Sequence, residues 1–116
     1  MPLLRVTTNQ GVATSEQRRE LLGEASARVA ELLGKPERYV MVALNTDGDL
    51  LFAGDDGPAA FLELASLGLP QERTEALSAA LCDWVQQRLG VPADRVYIHF
   101  QDVARPMWGT NGTTFG

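Results

Sequence analysis

Pro2, Lys35, Cys82 and His99 are the residues of this chain whose types can do chemistry, and Pro2 is the most informative. Removal of Met1, common when the second residue is small, would leave a secondary amine directly ahead of the β-capable segment Leu3 to Thr8. Such an amine is protonated in neutral water. Burial would disfavour the ammonium and a nearby Lys35 cation would disfavour it further, so both would lower its pKa towards the range where a general base works. With Met1 attached, the Pro2 nitrogen is an amide and has no basic lone pair. Two plainer readings stand beside this one. A proline in second place is a rigid start to a strand, and Lys35, directly after Gly34, is a cation favoured by the dipole at a helix C-terminus.

The other candidates are weaker. Cys82 has no Cys-x-x-Cys partner and falls beside an apolar helical stripe, so it reads as packing rather than as a nucleophile. His99, the only histidine, falls in a strand, where a structural or surface role is commoner than catalysis. Trp84 fits a helix core, whereas Trp108 falls in an irregular tail and can line a cleft or an interface. Glycine-rich phosphate loops, zinc spacings and nucleophile elbows are absent. Asn45 to Asp49 faintly resembles a calcium loop but has no glutamate at the twelfth position, so it reads as a hairpin turn and no metal site is expected.

These residues must be positioned by a small, acidic chain. Its 116 residues are one domain's worth, and 45% hydrophobic with 22% charged residues is the composition of a globule with a core. A net charge of −5 argues against a nucleic-acid partner. One cysteine forms no internal disulfide. No apolar run approaches the roughly 18 residues of a membrane span, and the start does not resemble a signal peptide, so a cytoplasmic location is the expectation and no membrane partner is expected.

Leu3 to Thr8 reads as a strand. Thr14 and Gln17 have the spacing of a capping box, and Leu21, Leu22, Ala25, Val29, Leu32 and Leu33 then form one helical stripe ended by Gly34-Lys35-Pro36. Tyr39 to Leu44 is a near-continuous apolar run, expected of a strand covered on both faces or central in its sheet. Asp47-Gly48 suits a turn returning Leu50 to Ala53 as a pairing strand. Ala59 to Leu67 reads as a strand, Leu77, Ala80, Leu81, Trp84, Val85 and Leu89 mark a second helix ended by Gly90, and Val96 to Phe100 alternates as a strand. Asn111-Gly112 is a hairpin signal.

Gly34-Lys35-Pro36-Glu37-Arg38-Tyr39-Val40 and Gly90-Val91-Pro92-Ala93-Asp94-Arg95-Val96 are two versions of one segment. A single domain over 1–116 with an internal repeat, about 1–57 and 58–116, follows. Two right-handed β-α-β units predict an α+β fold, a two-layer sandwich of a four-stranded mixed sheet with both helices on one face. The apolar strands leave the other face uncovered, which implies an oligomer.

Met1-Pro2-Leu3, Gly34-Lys35-Pro36 followed by Tyr39, Ala65-Ser66-Leu67-Gly68, Asp94-Arg95-Val96-Tyr97-Ile98 and Asn111-Gly112-Thr113-Thr114-Phe115 together resemble the macrophage migration inhibitory factor family of the tautomerase superfamily. The likeness runs from end to end. It implies a homotrimer and a cofactor-free keto-enol tautomerase (an isomerase of the phenylpyruvate or dopachrome type) acting on small aromatic 2-oxo acids. By position, it implies Pro2 as the catalytic base and Lys35 as the partner of the substrate carboxylate, with the Leu67 amide as a second anchor beside Ser66. Tyr97 and His99 are implied to reach the site from an adjacent subunit. Tyr97, Leu3 and either Tyr39 or Trp108 would pack the aromatic ring.

Departures from the family pattern bear on specificity. His99 stands where better-known members carry asparagine, and Trp108 precedes Gly109 rather than following it. Ala59-Ala60-Phe61-Leu62 replaces a Cys-x-x-Cys, which removes the residues of a thiol-disulfide activity. The resemblance also leaves open a non-enzymatic, cytokine-like signalling or interaction role with a protein receptor, and export without a signal peptide.

Overall fold

The computed structural model describes residues 1–116. The elements run β1 (Leu3–Thr8), α1 (Ser15–Leu33), β2 (Met41–Asn45), β3 (Ala60–Leu67), α2 (Thr74–Leu89), β4 (Val96–Val103), and a closing hairpin of β5 (Gly109–Thr110) and β6 (Thr113–Thr114). The main sheet has the order β2-β1-β3-β4. β1 runs parallel to β2, β3 parallel to β4, and the two pairs meet through antiparallel β1 and β3. The chain is therefore two β-α-β units joined at their first strands, as the repeat predicts.

Local chemistry explains the boundaries. Thr14 is extended and its Oγ1 accepts from the Gln17 amide at 3.1 Å, the forward bond of the predicted capping box. Gly34 and Gly90 close the helices in the left-handed region, at φ 62° and 69°, which glycine adopts without a Cβ clash. Leu4 and Val6 of β1 and Leu62 and Leu64 of β3 point inward onto Leu21, Ala25 and Val29 of α1 and Leu77, Leu81 and Val85 of α2. Each of these leucines, at most 5% exposed, contributes about 1.5–3 kcal/mol relative to an exposed position.

Three expectations are corrected. The strand within Tyr39 to Leu44 begins at Met41 and lies at a sheet edge rather than at its centre, because β1 pairs with it on one side and nothing in the protomer pairs on the other. Leu50 to Ala53 is not a returning strand. The Asp47 and Gly48 amides donate to the carbonyls of Gln10 and Thr8, so that turn is tied to the end of β1, and Phe52 to Asp55 closes its own tight turn. The face away from the helices is also not uniformly apolar. The register aligns Ala43, Arg5, Glu63 and His99 across the four strands, with Arg5 and Glu63 paired at 3.6 Å. Met41, Phe61 and Tyr97 are exposed on β2, β3 and β4, so the surface left for a neighbour is mixed.

Candidate active site

Pro2 sits just before β1 and is buried, and its carbonyl accepts from the Met41 amide at 3.0 Å, extending the β1–β2 pairing by one bond. The sheet thus fixes the head of the chain. Opposite it, Gly34 turns α1 off and Pro36 starts a single 3₁₀ turn over Glu37–Tyr39. That turn presents Arg38 and Tyr39. The tail supplies the remaining wall. Asn111 and Gly112, at φ 50° and 76°, make the predicted tight turn, and the Phe115 amide donates to the Trp108 carbonyl at 3.1 Å.

These pieces enclose a cleft of about 510 Å³ lined by Pro2, Leu3, Tyr39, Val40, Met41, Trp108 and Phe115, with Met1 and Arg38 at its margin. Tyr39 meets Phe115 edge to face with 6.3 Å between ring centroids, and the Arg38 guanidinium lies 4.7 Å above the Tyr39 ring. Lys35 stands behind this wall, half-buried, and its ammonium donates to the Leu67 carbonyl at 2.6 Å. Ser66 Oγ donates to the same oxygen at 3.3 Å. A dominant effect of burial, with a second contribution from the Lys35 cation, holds the Met1 α-ammonium below its ordinary pKa. The neighbourhood therefore disfavours positive charge on an amine. A larger depression, about 620 Å³, is lined by Asn9, Asp49, Leu51 and Asp56 and contains no amine, cation or nucleophile.

Of the residues singled out from the sequence, Pro2, Leu3, Tyr39 and Trp108 share the cleft, and Lys35, Ser66 and Leu67 form a connected group bearing on the chain head. Tyr97 and His99 do not join them within the protomer. Tyr97 is 68% exposed on β4 and packs on Phe52 with ring centroids 5.0 Å apart. His99 lines a separate hollow of about 130 Å³ on the outer sheet face with Arg5, Glu63 and Gln101. Leu3 borders both spaces. Sequence reasoning missed Arg38, Val40, Met41 and Phe115 as lining residues. For the first three the signal was present in Pro36, which starts the 3₁₀ turn that leads into β2.

A duplicated β-α-β chain, folded as one mixed sheet under two helices with a buried proline at the head of the first strand, defines an α+β protein of the tautomerase superfamily. The chain belongs to the macrophage migration inhibitory factor family, whose family model matches residues 1–116. It is 40% identical over 116 residues to the macrophage migration inhibitory factor homolog of Trichinella spiralis, covering 99% of this chain and 100% of that one. The crystal structure of the homologue from Prochlorococcus marinus superposes with a TM-score of 0.90 at 42% identity, covering 98% of this chain and 99% of that one. The Trichinella spiralis structure gives 0.89 at 38% identity, covering 97% and 99%. Tautomerase activity is general to the family, its members are homotrimers, and the fold fits that assembly.

Proposed function

We propose that this protein is a cofactor-free keto-enol tautomerase of small aromatic 2-oxo acids, with Pro2 as its base once Met1 is removed. The observation that carries this reading is the burial of Pro2 at an aromatic-walled cleft, beside a cation that with burial disfavours a protonated amine. Without Met1, the amine nitrogen is that of Pro2 itself, a residue buried in the chain that carries Met1. Its neutral form has one lone pair. In enolisation that pair takes a proton from the carbon next to the carbonyl, the C–H electrons become the carbon–carbon double bond, and the carbonyl π pair moves to oxygen. The protonated proline then returns its proton to that oxygen, so the reaction needs no external acid or oxidant.

Developing charge on the oxygen and the fixed charge of the carboxylate both require donors. Lys35 would exchange its bond to the Leu67 carbonyl for the substrate carboxylate, with the Leu67 amide beside it. Tyr39, Trp108 and Leu3 would hold the ring, in keeping with clefts that are largely apolar with a few polar groups. In a trimer, Tyr97 and His99 would complete the site from the neighbouring subunit. The exposure of both in the protomer supports that part of the reading. An imidazole there makes any contact with a ring hydroxyl dependent on pH.

The test is phenylpyruvate tautomerisation followed by ultraviolet absorbance, on protein whose intact mass lacks Met1, beside a folded Pro2→Gly variant. Turnover in the first and its loss in the second is the expected result. Equal turnover in both removes proline as the base. No turnover in processed trimeric protein removes the aromatic tautomerase reading in favour of a binding role.

A further inference from the structure

The cleft carries a cation that the proton transfer does not use. Arg38 lines it, its guanidinium carbon lies 4.7 Å from the Tyr39 ring centroid, and within the protomer its N–H donors reach no acceptor and no carboxylate. Glu37, its chain neighbour, does not pair with it. The cleft lining contains no aspartate or glutamate at all, although the chain as a whole has a charge of −5. Contact with the Tyr39 ring already restricts the guanidinium, so less rotamer freedom is lost when an anion arrives. Lys35, three residues earlier, lies behind the same wall and is turned towards Leu67. The segment from 35 to 38 thus offers two cations, one beside the base and one on the aromatic rim.

We propose that Arg38 is a specificity residue for a second anionic group, so that the preferred substrates are aromatic 2-oxo acids whose ring carries a carboxylate or a comparable acid. This rests on the tautomerase reading of the cleft and deepens it. The 2-oxo acid head lies by Pro2 and Lys35, the ring lies against Tyr39 and Trp108, and the far acid accepts from Arg38 in a charge-assisted, bidentate hydrogen bond. A singly charged aromatic 2-oxo acid fills the first two contacts and leaves Arg38 in water. The preference is electrostatic at a rim, so it weakens as salt rises.

The matched probes are phenylpyruvates bearing a para-carboxylate or the nearly isosteric neutral para-carboxamide. Processed enzyme is expected to favour the carboxylate in kcat/KM by about tenfold at low salt. Arg38→Gln abolishes that ratio by lowering kcat/KM for the carboxylate about tenfold more than for the carboxamide, Arg38→Lys keeps part of it, and added salt shrinks it. A ratio near one in the unaltered protein, or an equal loss on both probes in Arg38→Gln, overturns the proposal. Calorimetric binding of 4-carboxycinnamate against 4-carbamoylcinnamate, neither of which can enolise, separates this failure from failure of the tautomerase reading. If no probe turns over, the same tenfold difference in Kd, lost in Arg38→Gln, still supports the anion subsite, and equal Kd values refute it.

Discussion

The two β-α-β units use one backbone plan for different ends. Gly34-Lys35-Pro36 and Gly90-Val91-Pro92 both leave a helix through a left-handed glycine and enter a 3₁₀ turn through a proline. In the second unit the middle residue is Val91, fully buried in the core, and in the first it is Lys35, held half-buried against Leu67. The arginines that follow diverge in the same way. Arg95 is saturated: it donates to the carbonyls of Phe52, Asp55, Gly57 and Pro58 and faces the Asp55 carboxylate at 3.6 Å. Arg38 stacks on a ring and donates to nothing. The scaffold is satisfied in one unit and left with unpaired cations in the other. The first unit is also the one whose opening strand is headed by Pro2 at the cleft.

Arg95→Ala breaks this contrast most directly. It strips the loop over 52–58 of its shared donor, and with only 17% of the side chain exposed the carbonyls are incompletely compensated by water. The expected cost is about 2–3 kcal/mol of unfolding free energy by denaturant titration. Arg38→Ala should cost under about 0.5 kcal/mol in the same experiment. Comparable losses would mean that the two arginines are both structural.

Lys35→Val makes the first unit resemble the second. Packing should tolerate it, because the same slot holds Val91 in the repeat, while kcat/KM for a 2-oxo acid should fall about tenfold or more with loss of the carboxylate partner. The pH profile carries a sign as well. The base acts when neutral, so kcat/KM rises with pH through the pKa of the amine. Burial first and Lys35 second lower the pKa of the Met1 amine, and the same field acting on the Pro2 amine after processing predicts that removal of Lys35 moves the rising limb to higher pH. A limb that stays in place would exclude Lys35 from tuning the base. For the unprocessed chain the same depression makes folding stability rise with pH as the medium passes from the lowered value up to the unfolded amine's 8.0, because the unfolded state holds more protons in that window.

Legibility in the sequence followed the range of the interactions. Helix ends, the repeat and the sheet class were readable because caps, turns and periodicity are local, whereas Leu3 and Tyr39 were placed at the site by the family resemblance and not by any local signal. The misreadings came from contacts across the chain. Asp47-Gly48 has the composition of a hairpin turn, yet its amides are taken by Thr8 and Gln10, some forty residues away, and that leaves Leu50 to Ala53 without a strand to pair with. Arg38 and Arg95 both follow the Gly-x-Pro of the repeat, offset by one inserted residue, and that spacing does not say what either one binds. Only the loop folded over Arg95 separates a clamp from a free cation.

Smaller effects test whether the units are equivalent where no chemistry intervenes. Gly34→Ala and Gly90→Ala each force a Cβ into the left-handed region; Gly34 faces open space and Gly90 meets only Gln10 Nε2 at 4.0 Å, an ordinary van der Waals contact, so the penalty is confined to backbone conformation. Each should lower stability by about 1 kcal/mol, the two nearly equal by thermal or denaturant unfolding. A larger loss at one would reveal a contact that the repeat does not share.

The helix starts differ, and this gives the smallest effect. Thr14 caps α1 through its side chain, whereas α2 continues from a preceding 3₁₀ turn and its N-cap, Arg73, makes no such bond. Thr14→Ala leaves the Gln17 amide to water at an exposed site, at a cost of about 0.5–1 kcal/mol. Arg73→Ala should not reproduce that cost through capping. Its guanidinium donates to the Leu32 carbonyl near the end of α1, so any loss there should appear as weaker hydrogen-exchange protection in the last turn of α1 rather than in the first turn of α2. Fraying of the first turn of α2 in Arg73→Ala would show instead that the second helix, too, depends on its N-cap residue.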